Sequence, residues 1–316
     1  RTSLHRDIST MKILLRYRRD YHNDKLVPSY CESVRHALLN MGYDVFPIGE
    51  GHEYQLQGSP FPVILDQLDP AYFDLLLELD NGRNKKGELG FGEYKENSLP
   101  KAVWFIDSHG QPDLHQSLAR KYQHIFFAVW ARRDLFAGHH SAHWTPNATD
   151  PIWFPKAVCE PSHLFGFFGS KGGLERAKPL QDIAARRGWS CDVRQINGPH
   201  KTKWPYTAEA MGNCRVLFNH GQKHDGPNLR VLESMAVGRP LITDVDPQSG
   251  MDKLFVDGEH YLGYEAYTHV GLESAMSEAL KRTDLAEAMA QRAYDLVMSK
   301  HLVKHRVEQM IEVFNA

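Results

Sequence analysis

Short apolar runs of strand length alternate along this chain with longer stretches whose apolar residues recur every three or four positions. Residues 12–17 (KILLRY) read as a first strand, and residues 28–41 as a helix stopped by Gly42, a C-cap signal. A second strand is expected at 43–48, with further strands at 62–65, 75–79, 102–106 and 125–129 and helical stretches between several of them. Such alternation predicts a parallel sheet covered on both faces by helices. The segment 145–161 (TPNATDPIWFPKAVCEP) holds four prolines and little periodicity, so it reads as an interdomain linker. The pattern then restarts. Strands are expected at 165–168, 191–195, 215–218 and 240–243. Helices are expected at 174–187, ended by Gly188, and at 227–237, ended by Gly238, and residues 272–314 are almost wholly helical. The layout predicts an α/β chain of two Rossmann-like, doubly wound domains facing each other across a cleft. The expected domains are 11–150 and 151–300, with residues 301–316 as a C-terminal helix that packs back on the first. In such sheets ligands bind outside the carboxyl ends of the strands.

Composition narrows the class of protein without naming a chemistry. The 316 residues are 42% hydrophobic and 24% charged, ordinary for a globular chain that needs neither disulfides nor metal to hold a core. Cys31, Cys159, Cys191 and Cys214 are far apart and form no CxxC pair, which reads as reduced thiols in a cytoplasmic protein. The net charge is −2, with 17 basic and 19 acidic residues up to residue 155 and 20 of each after it. Bulk charge therefore gives no support to a nucleic-acid partner. The first ten residues, RTSLHRDIST, lack the apolar stretch of a signal peptide and are expected to lie outside the fold. The strongest apolar runs, such as 125–130, are strand-length, so no integral membrane segment is expected.

The most informative stretch is VLFNHGQKHDGPNLRVLESMAVGRPLITD, residues 216–244. A strand ends near Asn219, a polar glycine-bearing loop follows, and a helix is expected to open at Pro227, whose missing N–H suits a first turn. The free amides around Asn228 and Leu229, with the helix dipole, form a ready site for an anion. Asp225 precedes that positive end. Glu233 lies further along a helix of otherwise mostly apolar residues, where a carboxylate needs a hydrogen-bonding partner; a sugar hydroxyl would serve. On spacing alone, Asp225 reads equally as a capping acid and Glu233 as a buried glutamate satisfied by the protein.

Asp225, Gly226, Pro227, Asn228, Leu229, Arg230, Glu233, Gly238 and Asp244 together resemble the signature of the group 1 (family four) glycosyltransferases, in particular the spore-maturation CgeB-like branch. PNATD (146–150), FGFFGSKGGLERAKPL (165–180) and FVDGEHYLGY (255–264) extend the resemblance over roughly residues 143–316. The resemblance implies the two-domain GT-B fold and transfer of a sugar from a nucleotide diphosphate sugar with retention, without metal or other cofactor. The family's pair of acids eight positions apart falls on Asp225, by the donor sugar, and Glu233, on the ribose; the first is Asp where the family has Glu. Its phosphate-binding turn falls on Gly226, Asn228 and Leu229. Its basic residues after the first strand of the second domain fall on Lys171 and Arg176, beside Ser170. A diphosphate leaving without a metal needs such cations, and Lys223 is a third candidate. The nucleotide base is expected over the loop holding Asn197, Gly198, Lys203 and Trp204.

In the first half, His109 follows the apolar strand 102–106, where it would hydrogen-bond the donor sugar or position the acceptor; a locally satisfied loop histidine is the plain alternative. The loop after the first strand carries Arg18, Arg19, Tyr21 and His22 and lacks the glycines many relatives have there. GHHSAHW (138–144) gathers three histidines but matches no metal-ligand spacing, so an exposed loop is expected and no metal. The acceptor stays open among glycan, protein, small molecule and modified DNA. Two rivals remain: a GT-B-fold nucleotide-sugar epimerase, and an inert sugar-nucleotide-binding or structural protein.

Overall fold

The computed structural model describes residues 11–19, 21–22, 25–26, 29–49, 52, 70–80, 99–108, 110, 112–169, 174–196, 204–221, 226–266 and 268–316. Six parallel strands form the first sheet: β1 (Lys12–Arg16), β2 (Asp44–Ile48), β3 (Leu75–Asp80), β4 (Lys101–Phe105), β5 (His124–Phe127) and β6 (Ala142–Trp144), in the order β2-β1-β3-β4-β5-β6. Both faces are covered, which is why these strands are almost continuously apolar. Along β1, Ile13 and Leu15 pack with Val34 and Leu38 of helix α1 (Tyr30–Asn40), while Leu14 points to a second cluster with Ile48 and Leu76. Ser29 caps α1 by accepting from the Glu32 N–H at 3.3 Å, and Gly42 follows the helix at φ 89°, where only glycine sits without strain. The strand expected at 62–65 lies outside the described residues. The histidine-rich segment departs from expectation: β6 adds residues 142–144 to the sheet edge, because Ala142 and Trp144 turn apolar surface onto the cluster of Phe127 and Phe136.

The second sheet has five parallel strands: β7 (His163–Gly169), β8 (Cys191–Gln195), β9 (Cys214–Asn219), β10 (Leu241–Val245) and β11 (Leu262–Glu265), in the order β8-β7-β9-β10-β11. In the first half α2 (Pro112–Ala119) lies between β4 and β5, and α3 (Lys178–Arg187), α4 (Trp204–Gly212) and α5 (Leu229–Val237) run between the strands of the second sheet. Gly188 and Gly238 end α3 and α5 in the left-handed conformation, at φ 63° and 74°. The single helix expected over 174–187 is divided: Leu174–Ala177 is a 3₁₀ turn and α3 begins after it, with Pro179 in its first turn.

The chain ends in α6 (Leu272–Lys281), α7 (Thr283–Lys300) and α8 (Val303–Asn315). Helix α8 crosses back to the first half, where Val303, Val307, Met310 and Ile311 join the core of Ile13, Leu15 and Leu38. Each such side chain contributes about 1.5–3 kcal/mol when fully buried. The chain thus passes between the halves twice, and the passages are stitched together. Thr149 N–H donates to His301 O at 3.2 Å, and Val303 N–H to Thr149 O at 3.0 Å. Arg306, 6% exposed, donates from Nε to Pro146 O at 2.8 Å and from Nη2 to Asn147 O at 3.4 Å. Among the described residues no helix is long and apolar enough to cross a membrane.

Candidate functional site

The strand order of the second sheet reverses between β7 and β9, so the loops leaving these strands diverge and open a crevice at their carboxyl ends. Arg176 comes from the β7 side. His220, Gly221 and the turn Gly226–Asn228 come from the β9 side. Of the site residues expected from the sequence, Arg176, Gly226, Asn228, Leu229 and Glu233 are described. Asp225, His109, Lys171, Lys223, Ser170 and Asn197 lie outside the described residues, as do Gly198 and Lys203.

Helix α5 starts two residues later than expected. Pro227 precedes the helix, and Asn228 is its N-cap, in extended backbone (φ −78°, ψ 169°). The difference has a local cause. Asn228 Oδ1 accepts from Val231 N–H at 3.2 Å, and its Nδ2 donates to Asn219 Oδ1 at 3.3 Å, so one side chain both caps the helix and ties it to the end of β9. Asn219 in turn donates to Thr243 Oγ1 at 2.9 Å. Among the described residues, the N–H groups of Asn228, Leu229 and Arg230 find no acceptor. Gly226 has no room for a side chain: a Cβ there would come within 2.8 Å of Ser249 Cβ. A cavity of about 20 Å³ lies against this turn, room for a water molecule. Gly226, Pro227 and Asn228 form one wall, and Asp244 and Asp246 lie among the others.

The opposite wall is organised around Asp244, whose Oδ1 accepts from Gly221 N–H at 2.9 Å and from the Thr243 hydroxyl at 3.2 Å. His220 Nδ1 lies 2.6 Å from the Tyr264 hydroxyl and 4.0 Å from Asp244 Oδ2. Burial holds the His220 ring below its ordinary pKa, against the pull of Asp244 and with the repulsion of His269 and Arg176. Arg176 reaches across the crevice and donates from Nη1 to His220 O at 2.8 Å. This basic residue is therefore at the strand ends, but part of its hydrogen-bonding capacity is spent on holding the β9 loop. His220 and Tyr264 lie within the stretches that carry the resemblance, but no sequence feature assigned either a role at the site. Asp244 carried a signal only as the last residue of the extended motif.

Glu233 is buried at 4% exposure, one turn into α5, and does not line that cavity. Arg230 Nη1 stands 2.5 Å from its Oε2, one turn back on the same helix. The contact is out of line for a hydrogen bond, and Oε2 is buried without one. Burial raises the Glu233 carboxyl above its ordinary pKa, and Arg230 opposes that. The carboxylate thus has a charge partner within the protein and retains acceptor capacity.

The first sheet offers its own switch point between β1 and β3. Beyond β1, the Tyr17 hydroxyl and Arg19 Nε both donate to Glu32 Oε1, each at 2.7 Å. Burial alone would raise the Glu32 carboxyl, but the bonds from Arg19 and Tyr17 outweigh it and hold its pKa low. His52 sits against Tyr17 O at 3.2 Å, its pKa pushed down to about 4 by burial and by Arg19. Of the histidines of 138–144, His140 is exposed as expected, while His139 and His143 are half-buried and tied into the fold. His139 Nε2 lies 3.0 Å from Tyr122 O, and Ser141 Oγ bridges His143 Nε2 at 3.0 Å and His124 Nδ1 at 2.8 Å. Among the described residues no group of three His, Cys, Asp or Glu is arranged to hold a metal.

Residues 167–312 match the family model described as glycosyl transferase-like. No curated protein sequence matches the chain. Solved structures do. The chain is similar to sucrose-phosphate synthase from Thermosynechococcus elongatus (12% identity, 96% of this chain and 98% of that one, TM-score 0.63). It is similar to HepE from Anabaena in complex with UDP-glucose (13%, 96% and 99%, 0.63). A glycosyltransferase from Rickettsia africae gives 9%, 97% and 98%, and 0.64. At these identities the likeness is one of fold: two parallel sheets with flanking helices, closed by C-terminal helices, in the GT-B arrangement.

Proposed function

We propose that the chain is a glycosyltransferase that moves a sugar from a nucleotide diphosphate sugar to an acceptor, within or close to the CgeB-like branch of the group 1 enzymes. The observation that carries this reading is the start of α5. Three amides without acceptors among the described residues, Asn228 to Arg230, stand at the carboxyl end of a switch-point strand, where an anionic group is favoured by both the open N–H groups and the helix dipole. The carboxylates of Asp244 and Asp246 close by would repel a bare anion but suit the hydroxyls of an attached sugar. Glu233, with its unused acceptor capacity, is assigned to the ribose, and Asp225 to the donor sugar.

In this reading the bond from the anomeric carbon to the diphosphate oxygen breaks, and the charge left on the diphosphate is stabilised by Lys171, Arg176 and the α5 amides. The acceptor hydroxyl attacks from the face the diphosphate leaves, which retains configuration. Its proton passes to the departing phosphate, so no dedicated base is needed, and the basic residues stand in for a metal at the diphosphate. HepE, which shares the fold, binds UDP-glucose, so uridine diphosphate sugars are the first donors to try.

A thermal-shift panel of nucleotide diphosphates and their sugars tests the reading, since a ligand bound only by the folded state raises the melting temperature. A diphosphate is expected to stabilise the wild type, and Glu233→Ala and Arg176→Ala to weaken that shift. Slow release of diphosphate from the sugar nucleotide supports transfer. Isomerisation of the sugar makes the chain an epimerase, and no binding by any member of the panel makes it an inert module.

A further inference from the structure

The turn entering α5 is gripped from the passage between the two halves. Asn147, 7% exposed, donates from Nδ2 to Pro227 O at 3.3 Å, across 80 positions of sequence. Its own backbone is fixed by the stitch already described: Arg306 donates to the carbonyls of Pro146 and Asn147, and Thr149 pairs with Leu302. Leu229, the first residue of α5, packs against the core that holds Ala148, Val303 and β1. Both contacts reach the same short turn from the same side.

We infer that Asn147 is a positioning residue for the diphosphate, an inference that rests on the donor-binding reading above. The peptide unit is planar, and in its trans form C=O and N–H point in opposite directions. The carbonyl of Pro227 and the N–H of Asn228 belong to one such unit. Anchoring that carbonyl to the interdomain passage therefore turns the Asn228 amide away from it, with the Leu229 and Arg230 amides following in the first turn of the helix. Without the anchor the unit is free to rotate, and the cradle loses its fixed aim. Asn147 acts through Pro227 and does not touch the ligand. The same bond couples the place where the halves are joined to the place where the leaving group is held.

Calorimetric titration of the full chain with UDP and with UMP tests this, using the matching pair of another base if the thermal-shift panel prefers one. The phosphate that UDP has and UMP lacks is assigned to this turn together with Lys171 and Arg176, and Asn147 bonds to the turn, so a change in the ratio of the two dissociation constants on substituting Asn147 reads the turn's share. Asn147→Ala is expected to weaken UDP about tenfold, the size of one hydrogen bond to a charged group, and to leave UMP unchanged. Asn147→Asp, which keeps the shape but cannot donate to a carbonyl, is expected to behave alike, while Asn147→Ser, a shorter donor, recovers part of the ratio. A variant that only loosens the fold would weaken both nucleotides together. An unchanged UDP-to-UMP ratio in a folded Asn147→Ala or Asn147→Asp chain overturns the inference and leaves the donor site standing. Failure of the wild type to bind any nucleoside diphosphate overturns both.

Discussion

Asn228 carries two duties that substitutions can separate. As N-cap it satisfies the Val231 amide, and through Nδ2 it ties the helix to Asn219. Asn228→Ala is expected to cost about 1 kcal/mol of stability, the usual value of a cap, read as a shift in the denaturation midpoint. Asn228→Asp keeps the cap and suits the helix dipole but cannot donate to Asn219 Oδ1, so its stability should fall between the wild type and the alanine variant. It also sets a negative charge beside the amides assigned to phosphate, so diphosphate binding should fall well below that of the alanine variant. Equal binding by the two variants would remove the anion from this turn. A second residue-scale prediction concerns His301. Burial first, then the Arg306 guanidinium 2.8 Å from its Nδ1, push its pKa down to about 3. The unfolded chain takes up a proton near pH 6.5 and the folded one does not until about 3, so stability is full above the former and declines as pH falls between them. Each proton taken up by the unfolded chain alone costs about 1.4 kcal/mol per pH unit. Urea midpoints measured from pH 7 to pH 4.5 should fall less steeply in His301→Gln than in the wild type.

At the scale of elements, much was readable and the exceptions have physical reasons. The residues 75–79 form a strand because their apolar run is too short for a helix and is buried on both faces, while 44–48 and 191–195 are edge strands, only partly buried, placed by their pairing with β1 and β7. Gly42, Gly188 and Gly238 end helices where a left-handed residue is required, and each is visible as a glycine after a periodic run. The start of α5 misled because Pro227 offers a plausible first turn. The competing signal, an asparagine whose side chain reaches the third amide of the helix, was present one residue later. Strand β6 was hidden because HHSAHW has too few apolar residues to declare a strand; its order comes from neighbours more than a dozen residues away. The same limit applies to the site. The resemblance pointed to the β9–α5 segment because its motif is contiguous. His220 and Tyr264 meet only when β9 and β11 share a sheet, and Asn147 meets Pro227 only when the halves dock.

Over the whole molecule, α8 is a structural part of the half from which it is most distant in sequence. Ile311 is 4% exposed within the first core. Ile311→Ala is expected to lower stability by about 2–5 kcal/mol, as for comparable core truncations, and chemical denaturation would show it. If the two halves unfold in separate steps, the earlier-sequence half should be the one that shifts. The linker between the sheets, by contrast, is open at Val158, whose side chain is 99% exposed. A protease that severed the backbone there would produce two fragments. The later one would still own α8, seated among Ile13, Leu15 and Leu38 of the earlier one. The nicked protein should therefore co-elute as a single species of unchanged size and come apart only in denaturant.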